Sequence, residues 1–305
     1  MNIDFTNCQI NKLKWFGGAN GNKISVKYKN EDYMLKFPPK ANKNPFMSYA
    51  NSCISEYVAC HIFNSLGIDT QETLLGKYNG TIVVACKDLE VNGYKLKDFA
   101  YLKNTIIDSE SNGYGTDLES ILNAIDSQQI LSPDKIKDHF WNMFIADALL
   151  GNFDRHNGNW GFLINEEAGI VRLSPVFDCG SCLYPQLEDS RMKHILENEN
   201  EINDRIYVYP TSAIRFNNKK INYLEFISSD INKDCTRSLK TIEKNVNMTK
   251  IDNIIENTPF ITDIHREFLK TMIVERKAKI IDKSIEIIQS RELERKRRAR
   301  HREER

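Results

Sequence analysis

The chain has 305 residues, 41% of them hydrophobic, and its 42 Lys plus Arg balance 42 Asp plus Glu. That length can bury a large core, as one two-lobed domain or as two domains. Zero net charge argues against a direct nucleic-acid or membrane-surface binder, and no stretch is long and apolar enough to span a bilayer. The start, Met1-Asn2-Ile3-Asp4, lacks a secretory pattern. Seven scattered cysteines, an odd number, predict reduced thiols and a cytoplasmic fold.

Taken in order, the first feature is Phe16-Gly17-Gly18-Ala19-Asn20-Gly21-Asn22-Lys23. Its glycines would let backbone N–H groups approach an anion closely, although the spacing fits neither Gly-x-Gly-x-x-Gly nor a Walker loop. Lys23–Tyr28 alternates as a strand, Asn30-Glu31-Asp32 reads as a turn, and Tyr33–Phe37 returns, ended by Pro38-Pro39. A helix is predicted from Ser52 to about Leu66, stopped by Gly67. Leu74–Tyr78, Asn79-Gly80 and Thr81–Cys86 spell a hairpin, because Asn-Gly favours the type I′ turn. Residues 91–131 are polar and read as a linker with a first helix or two.

Ser132-Pro133 opens a helix in which Ile136, Phe140, Met143 and Phe144 recur at helical spacing, and Gly151 stops it. Asn152-Phe153-Asp154-Arg155-His156-Asn157-Gly158-Asn159 is too rich in Asn and Gly for helix or strand. Trp160–Ile164 and Ile170–Leu173 then form a second hairpin, followed by Val176–Gly180. The remainder is mostly helical in character, most clearly from Asp263 to about Gln289, and Arg291–Arg305 is a basic tract that reads as solvated.

The second hairpin has a geometric consequence. Its two ends must meet, so Asn159 just before it and Asp178 just after it become neighbours, with Asp154 beside them. Two carboxylates and an amide oxygen make a hard, oxygen-rich site. Mg²⁺ suits such a site, because it takes few protein ligands and fills its shell with water and phosphate. All three are candidate oxygen donors.

Asp154-Arg155-His156-x-x-Asn159 with Asp178-Cys179-Gly180 resembles the catalytic loop and metal-binding Asp-x-Gly of kinase-fold phosphotransferases. The Asp-Arg-His order, opposite to that of ordinary protein kinases, is shared by HipA-like serine/threonine kinases and phosphoinositide-type lipid kinases. Leu149-Leu150-Gly151-Asn152-Phe153 before it resembles the HipA-like branch, and nearly all of the chain to about Ser290 is similar to the compact, stand-alone cell-translocating type.

The resemblance implies an α+β, two-lobed fold. It has a β-rich small lobe at about residues 1–90, a larger, mainly helical lobe at 91–290 and a basic tail at 291–305. It also implies use of ATP and Mg²⁺ on a Ser/Thr protein substrate, with autophosphorylation. Phosphoryl transfer asks a protein mainly to position groups and neutralise charge. Asp154 is then the catalytic base, and Asn159 and Asp178 are the expected metal ligands. Lys36, on the second strand, would contact the ATP phosphates, with Glu56 as its ion partner. Gly17, Gly18, Ala19, Asn20, Gly21 and Asn22 would form the phosphate cradle. The Ala85-Cys86-Lys87-Asp88 junction would meet adenine, through Cys86 and Asp88. Arg155 and His156 are expected to brace the loop. Asp147 is read either as an anchor of loop amides or as an exposed residue.

The cell-translocating type further implies a eukaryotic host protein as target, export by a non-Sec route, and a nuclear destination served by Arg295-Lys296-Arg297-Arg298. Two alternatives are a lipid kinase, which lacks a basic amphipathic face here, and a nucleotide-binding pseudokinase, against which Lys36, Asp154, Asn159 and Asp178 stand together. Cys179-Gly180-Ser181-Cys182 has no second pair to make a zinc or redox motif.

Overall fold

The computed structural model describes residues 3–14, 16, 23–39, 50–106 and 112–303. The first part of the chain folds into strands β1 (Ile3–Asp4), β2 (Gln9–Ile10), β3 (Lys23–Tyr28) and β4 (Glu31–Lys36), helix α1 (Ser52–Ser65), and strands β5 (Thr73–Tyr78) and β6 (Thr81–Lys87). They build one sheet in the order β1-β5-β6-β4-β3-β2. Strand β6 is covered on both faces. Val83 and Ala85 join Phe5, Val26, Tyr33 and Leu35 on one side, while Val84 and Cys86 face α1 and the main core on the other. This two-sided burial explains why Ile82–Cys86 is a continuous apolar run and not an alternating one.

Both hairpin turns have the positive-φ geometry that matches strand twist: Asn79 at +47° with Gly80 at +79°, and Lys29 at +47° with Asn30 at +65°. The first turn is therefore Lys29-Asn30. Glu31 and Asp32, expected in the turn, already pair with Tyr28 and Lys27.

Next come β7 (Lys95–Asp98), α2 (Phe99–Ile106), α3 (Leu118–Ser127), α4 (Pro133–Leu150), β8 (Gly161–Asn165) and β9 (Ile170–Leu173). The expected hairpin is β8–β9, and β7 adds a third strand to it, pairing Lys95 with Ile164 and Asp98 with Gly161. Gly161 is required there: a Cβ would stand 2.2 Å from the Lys97 carbonyl oxygen. Helix α4 is buried nearly all round over its last three turns, Phe140 to Leu150, as befits the central helix of a large core. Gly151 caps it in the left-handed region at φ +64°, which turns the chain sharply into the loop.

The rest is α5 (Asp189–Leu196), α6 (Glu199–Tyr207), the short hairpin β10 (Arg215–Phe216) and β11 (Lys219–Lys220), α7 (Tyr223–Ser229), α8 (Lys233–Asn245), α9 (Met248–Glu256), α10 (Asp263–Arg276), a π-helical turn Lys277–Asp282, and α11 (Lys283–Glu303). Asn222, Asn232, Asn247 and Thr262 each cap a helix by accepting a backbone N–H three residues on. The wide π turn places Lys277 and Asp282 five apart on one face, where they pair at 2.8 Å. At the end of α10, buried Arg276 donates to the carbonyls of Ala148 (2.9 and 2.7 Å) and Arg205 (2.7 Å) and to the Tyr184 hydroxyl (3.2 Å).

The basic tract continues α11 as a largely exposed helix. Its ties include Arg291 to the Ser228 carbonyl at 2.6 Å, Glu292 to Lys240 at 3.6 Å and Arg295 to Asp230 at 3.7 Å. These are surface contacts, so deleting residues 291–305 should cost about 1 kcal/mol or less. Melting of the shortened chain should drop by about 2–4 °C at most. A fall of 10 °C would place the tract within the cooperative core.

His139, on α4, packs toward Trp160, and its Nε2 is buried without a partner among the described residues. Burial, aided by the Arg155 charge, pushes its pKa down to about 4. Because the folded value lies below the unfolded one, the unfolded chain takes up a proton first, and stability falls as pH drops from about 6.5 toward 4. From pH 7 to pH 5 this histidine alone should cost about 2 kcal/mol. His265, also buried and pushed down to about 4, adds a similar loss, so in His139→Leu the gap between the urea midpoints at the two pH values should narrow by about half and close only when His265 is replaced as well. An unchanged gap in that variant would remove His139 as the cause.

Candidate active site

The upper half of the site is a charge relay between three elements. Lys36, the last residue of β4, donates from Nζ to both Glu56 oxygens at 2.9 Å and to Asp178 Oδ1 at 3.0 Å. Glu56 lies on the second turn of α1 and is 2% exposed, and its Oε1 also accepts the Cys179 N–H at 3.2 Å. One carboxylate thus fixes the lysine and the segment after Asp178 together. Asp178 sits at φ +58°, a backbone region that Asp tolerates better than most residues. A parallel bridge between Thr70 and Val176, with Gln71 N–H to Val176 O at 2.9 Å, holds that segment against the β-rich part of the chain.

The charges shift in step. The Lys36 ammonium holds the Asp178 carboxyl down at about 2 despite burial. Burial alone would lower the Lys36 pKa, but Asp178 and Glu56 more than offset it and keep the ammonium charged. Burial pushes Glu56 up, opposed by Lys36.

The lower half is organised by Arg155, 2% exposed. Its Nε donates to Asp147 Oδ2 at 3.0 Å and its Nη2 to Asp147 Oδ1 at 3.2 Å. Its Nη1 donates to the carbonyls of Asn159 (2.9 Å) and Phe177 (2.6 Å). A single nitrogen therefore ties the residue before Asp178 to Asn159, across the two ends of the β8–β9 hairpin. Asp147, 1% exposed near the end of α4, also accepts the Asn152 side-chain amide at 2.7 Å, and Asn152 in turn accepts the Asp154 N–H at 3.0 Å. The Asn159 amide nitrogen donates to the Asp154 carbonyl at 2.9 Å. Burial raises the Asp154 pKa, partly offset by His156. His156 Nδ1 accepts the Gly158 N–H at 3.0 Å, a bracing contact.

The structure thus brings Lys36, Glu56 and Asp178 into direct contact, and joins Asp154 and Asn159 to them through Arg155. Gly17, Gly18, Ala19, Asn20, Gly21 and Asn22 lie outside the described residues. Cys86 is placed differently from expectation, within the sheet. Cys86 is inside β6, paired with both Met34 and Thr73, so its main chain belongs to the sheet ladder, and its thiol lies 4.0 Å from Glu56 Oε1. Asp88 follows the strand, pairs with Lys14 and accepts the Glu90 N–H at 3.0 Å.

Two supporting residues have no signal in the sequence, and Lys23, which ends the glycine-rich stretch, takes a place that the stretch alone does not show. Lys23 stands opposite Lys36 in the β3–β4 register, a pairing that the correct turn would have revealed. Tyr223 donates its hydroxyl to the Asn152 carbonyl at 2.6 Å, and Arg276 holds the end of α4. Nothing local in the sequence marks these two.

A divalent cation fits the donor set. Asp178 is kept ionised, and the Asn159 amide spends its nitrogen on Asp154, leaving the oxygen as a donor. Among the described residues no three His, Cys, Asp or Glu converge on a metal position. Two hard oxygens suit an ion that takes its other ligands from phosphate and water.

Residues 15–250 match the HipA-like C-terminal domain family. The chain is 56% identical over 281 residues to the serine/threonine-protein kinase CtkA of Helicobacter pylori, spanning 92% of this chain and 86% of that protein. The chain belongs to the HipA-like family. Against the crystal structure of the Helicobacter pylori proinflammatory kinase CtkA, this HipA-like chain has a TM-score of 0.90 at 54% identity, covering 96% of this chain and 98% of that one. HipA of Shewanella oneidensis MR-1, solved with HipB and its operator DNA, shares the fold at a TM-score of 0.54 and 12% identity, over 92% and 69% of the two chains. The HipA-like protein is a kinase, with a curled β-sheet lobe and a helical part. Among the described residues no helix is long and apolar enough to cross a membrane.

Proposed function

We propose that this HipA-like kinase transfers the γ-phosphoryl group of Mg-ATP to serine or threonine hydroxyls, on a protein substrate and on itself. The observation that supports it most is the double engagement of Lys36, which meets Glu56 and Asp178 at about hydrogen-bond length at once. A buried ammonium with two carboxylate partners is held rigidly and kept charged, which is what binding a polyphosphate demands. Lys23, across the register, is the second cation proposed to face the phosphates, alongside the glycine-rich segment 17–22. The main chain of Asp88–Glu90, just past β6, is proposed to meet adenine. Asn159 and Asp178 would hold Mg²⁺, which supplies charge neutralisation for the transferred group. Asp154, raised toward greater basicity by burial, orients the acceptor hydroxyl and takes its proton.

The test is purified protein with radiolabelled ATP, Mg²⁺ and a generic Ser/Thr substrate, followed by phosphoamino-acid analysis. Labelled phosphoserine or phosphothreonine, on substrate and on the enzyme, is expected. Label on tyrosine alone, or on lipid alone, would overturn the reading. Ser181 and Ser190, which follow Asp178, are the first positions to inspect by mass spectrometry.

We further propose a site of action inside eukaryotic cells, supported by the likeness to a proinflammatory kinase and by the exposed basic residues of α11. A fluorescent fusion should move from nucleus to cytoplasm when residues 291–305 are deleted. An identical distribution would overturn the import role of the tract.

A further inference from the structure

Phe153, immediately before Asp154, lines an open cavity of 340 Å³ that no step of the chemistry above uses. Its lining also includes Tyr184, Leu187, Tyr209, Pro210 and Thr211, with Arg205 and Gln186. Two of the polar groups of the wall are already engaged. The Tyr184 hydroxyl donates to the Arg205 carbonyl at 2.9 Å, and the Arg205 guanidinium pairs with Glu201 at 2.6 Å while lying over the Tyr209 ring at 5.5 Å. What faces the cavity is therefore mostly ring and aliphatic surface. Beside it the end of α6 and the residues after it keep Tyr207, Val208 and Tyr209 exposed by 43%, 58% and 43%.

The surface on either side is charged with opposite signs. Past Leu187 come exposed Glu188 and Asp189. On the other side, Ser212 N–H bonds the Ile221 carbonyl at 2.9 Å, and Asn222 donates to the Tyr207 carbonyl at 2.6 Å, so the residues that follow the β10–β11 hairpin lie against the segment that ends the cavity. That hairpin presents Lys219 and Lys220, both exposed, and the Lys220 charge is felt at Asp154. The acceptor position proposed at Asp154 is thus flanked by an apolar cavity and by a basic hairpin.

We infer that this cavity, together with Lys219 and Lys220, selects the phosphorylation site: a peptide segment with a large apolar side chain next to the acceptor Ser or Thr on one side and an acidic residue on the other. This deepens the protein-kinase reading and rests on it. An apolar side chain of Phe or Leu size suits a lining that is mostly ring and aliphatic surface, and its burial is worth a factor of about ten or more in recognition. The acidic residue meets lysines at the rim, where charge sets orientation more than affinity.

The experiment uses the full chain and fluorescein-labelled Ser peptides. Phe is placed in turn at each of the two positions on either side of Ser in an otherwise Ala, Gly and Asp background. Binding is read by anisotropy and phosphorylation by kcat/KM. At one position Phe should improve both by about tenfold over Ala. The Phe/Ala ratio should fall to about one in Leu187→Asp and in Thr211→Trp, two different ways of closing the cavity, each compared within the same folded variant. Lys219→Glu with Lys220→Glu should invert the preference for Asp over Lys on the opposite side. Selective binding without phosphorylation would keep the cavity and overturn the protein-kinase reading. Phosphorylation with a Phe/Ala ratio below two at every position would overturn the cavity and keep the kinase. A ratio below two in binding, with no phosphorylation, would overturn the cavity as well.

Discussion

Asp178→Asn should lower phosphotransfer by about three orders of magnitude, equivalent to about 4 kcal/mol of transition-state stabilisation. The residue is the one proposed metal ligand with a full charge, and Lys36 keeps it ionised. An amide keeps the shape but loses the charge that a cation needs. The fold should survive, because Lys36 retains both oxygens of Glu56, and the Cys179 N–H still bonds Glu56. Melting should shift by about 2–4 °C at most. Near-normal turnover with unchanged Mg²⁺ dependence would remove Asp178 from the site.

Arg155→Met should act in the opposite way, on the scaffold first. Arg155 and Asp147 are each 1% exposed at the side chain, and the exchange leaves the carboxylate buried without its cation. Breaking such a pair from one side costs about 3–5 kcal/mol. The carbonyls of Asn159 and Phe177 lose their shared donor as well, so Asp154 and Asp178 lose their common reference. Urea unfolding should show the full loss, and activity should fall with it. The double variant Arg155→Met with Asp147→Leu should recover much of the stability, since an apolar pair of similar volume often replaces a buried ion pair without loss. It should not recover activity, because the two carbonyls remain untied. A single variant that loses less than about 1 kcal/mol would show that the pair is not an anchor.

The sequence was most readable where chemistry and spacing coincide locally. Asp154, Asn159 and Asp178 could be put together because a hairpin brings its ends together whatever its exact register. Lys36 and Glu56 came only from likeness to a family, since nothing local links a strand lysine to a helix glutamate 20 residues away. The strands β1 and β2, two residues each, and β7, four, are too short to carry a period, and β7 was read as linker. The turn at Lys29-Asn30 was displaced because Lys is an unusual occupant of positive φ, and with it the pairing of Lys23 with Lys36 was missed. Cys86 falls in the expected Ala85–Asp88 junction because the apolar run β6 gives no sign of where pairing ends. Arg276 looks like any helix arginine, because burial of a charge depends on carbonyls that the tertiary fold supplies.

Those carbonyls set how much chain is needed to make the catalytic half whole. The family match ends at residue 250, yet the guanidinium that satisfies Ala148, at the end of the helix feeding the catalytic loop, arrives from residue 276. A fragment trimmed to the family boundary would leave the Ala148 and Arg205 carbonyls and the Tyr184 hydroxyl without their shared donor. It would also uncover the apolar side of α4 that Met272, Ile273, Ile280 and Ile281 help to bury. Helix α10 and the π turn are therefore a structural strut of the enzyme, and the smallest piece able to fold as a kinase extends well past the family boundary, at least through the π turn and onto Ile288.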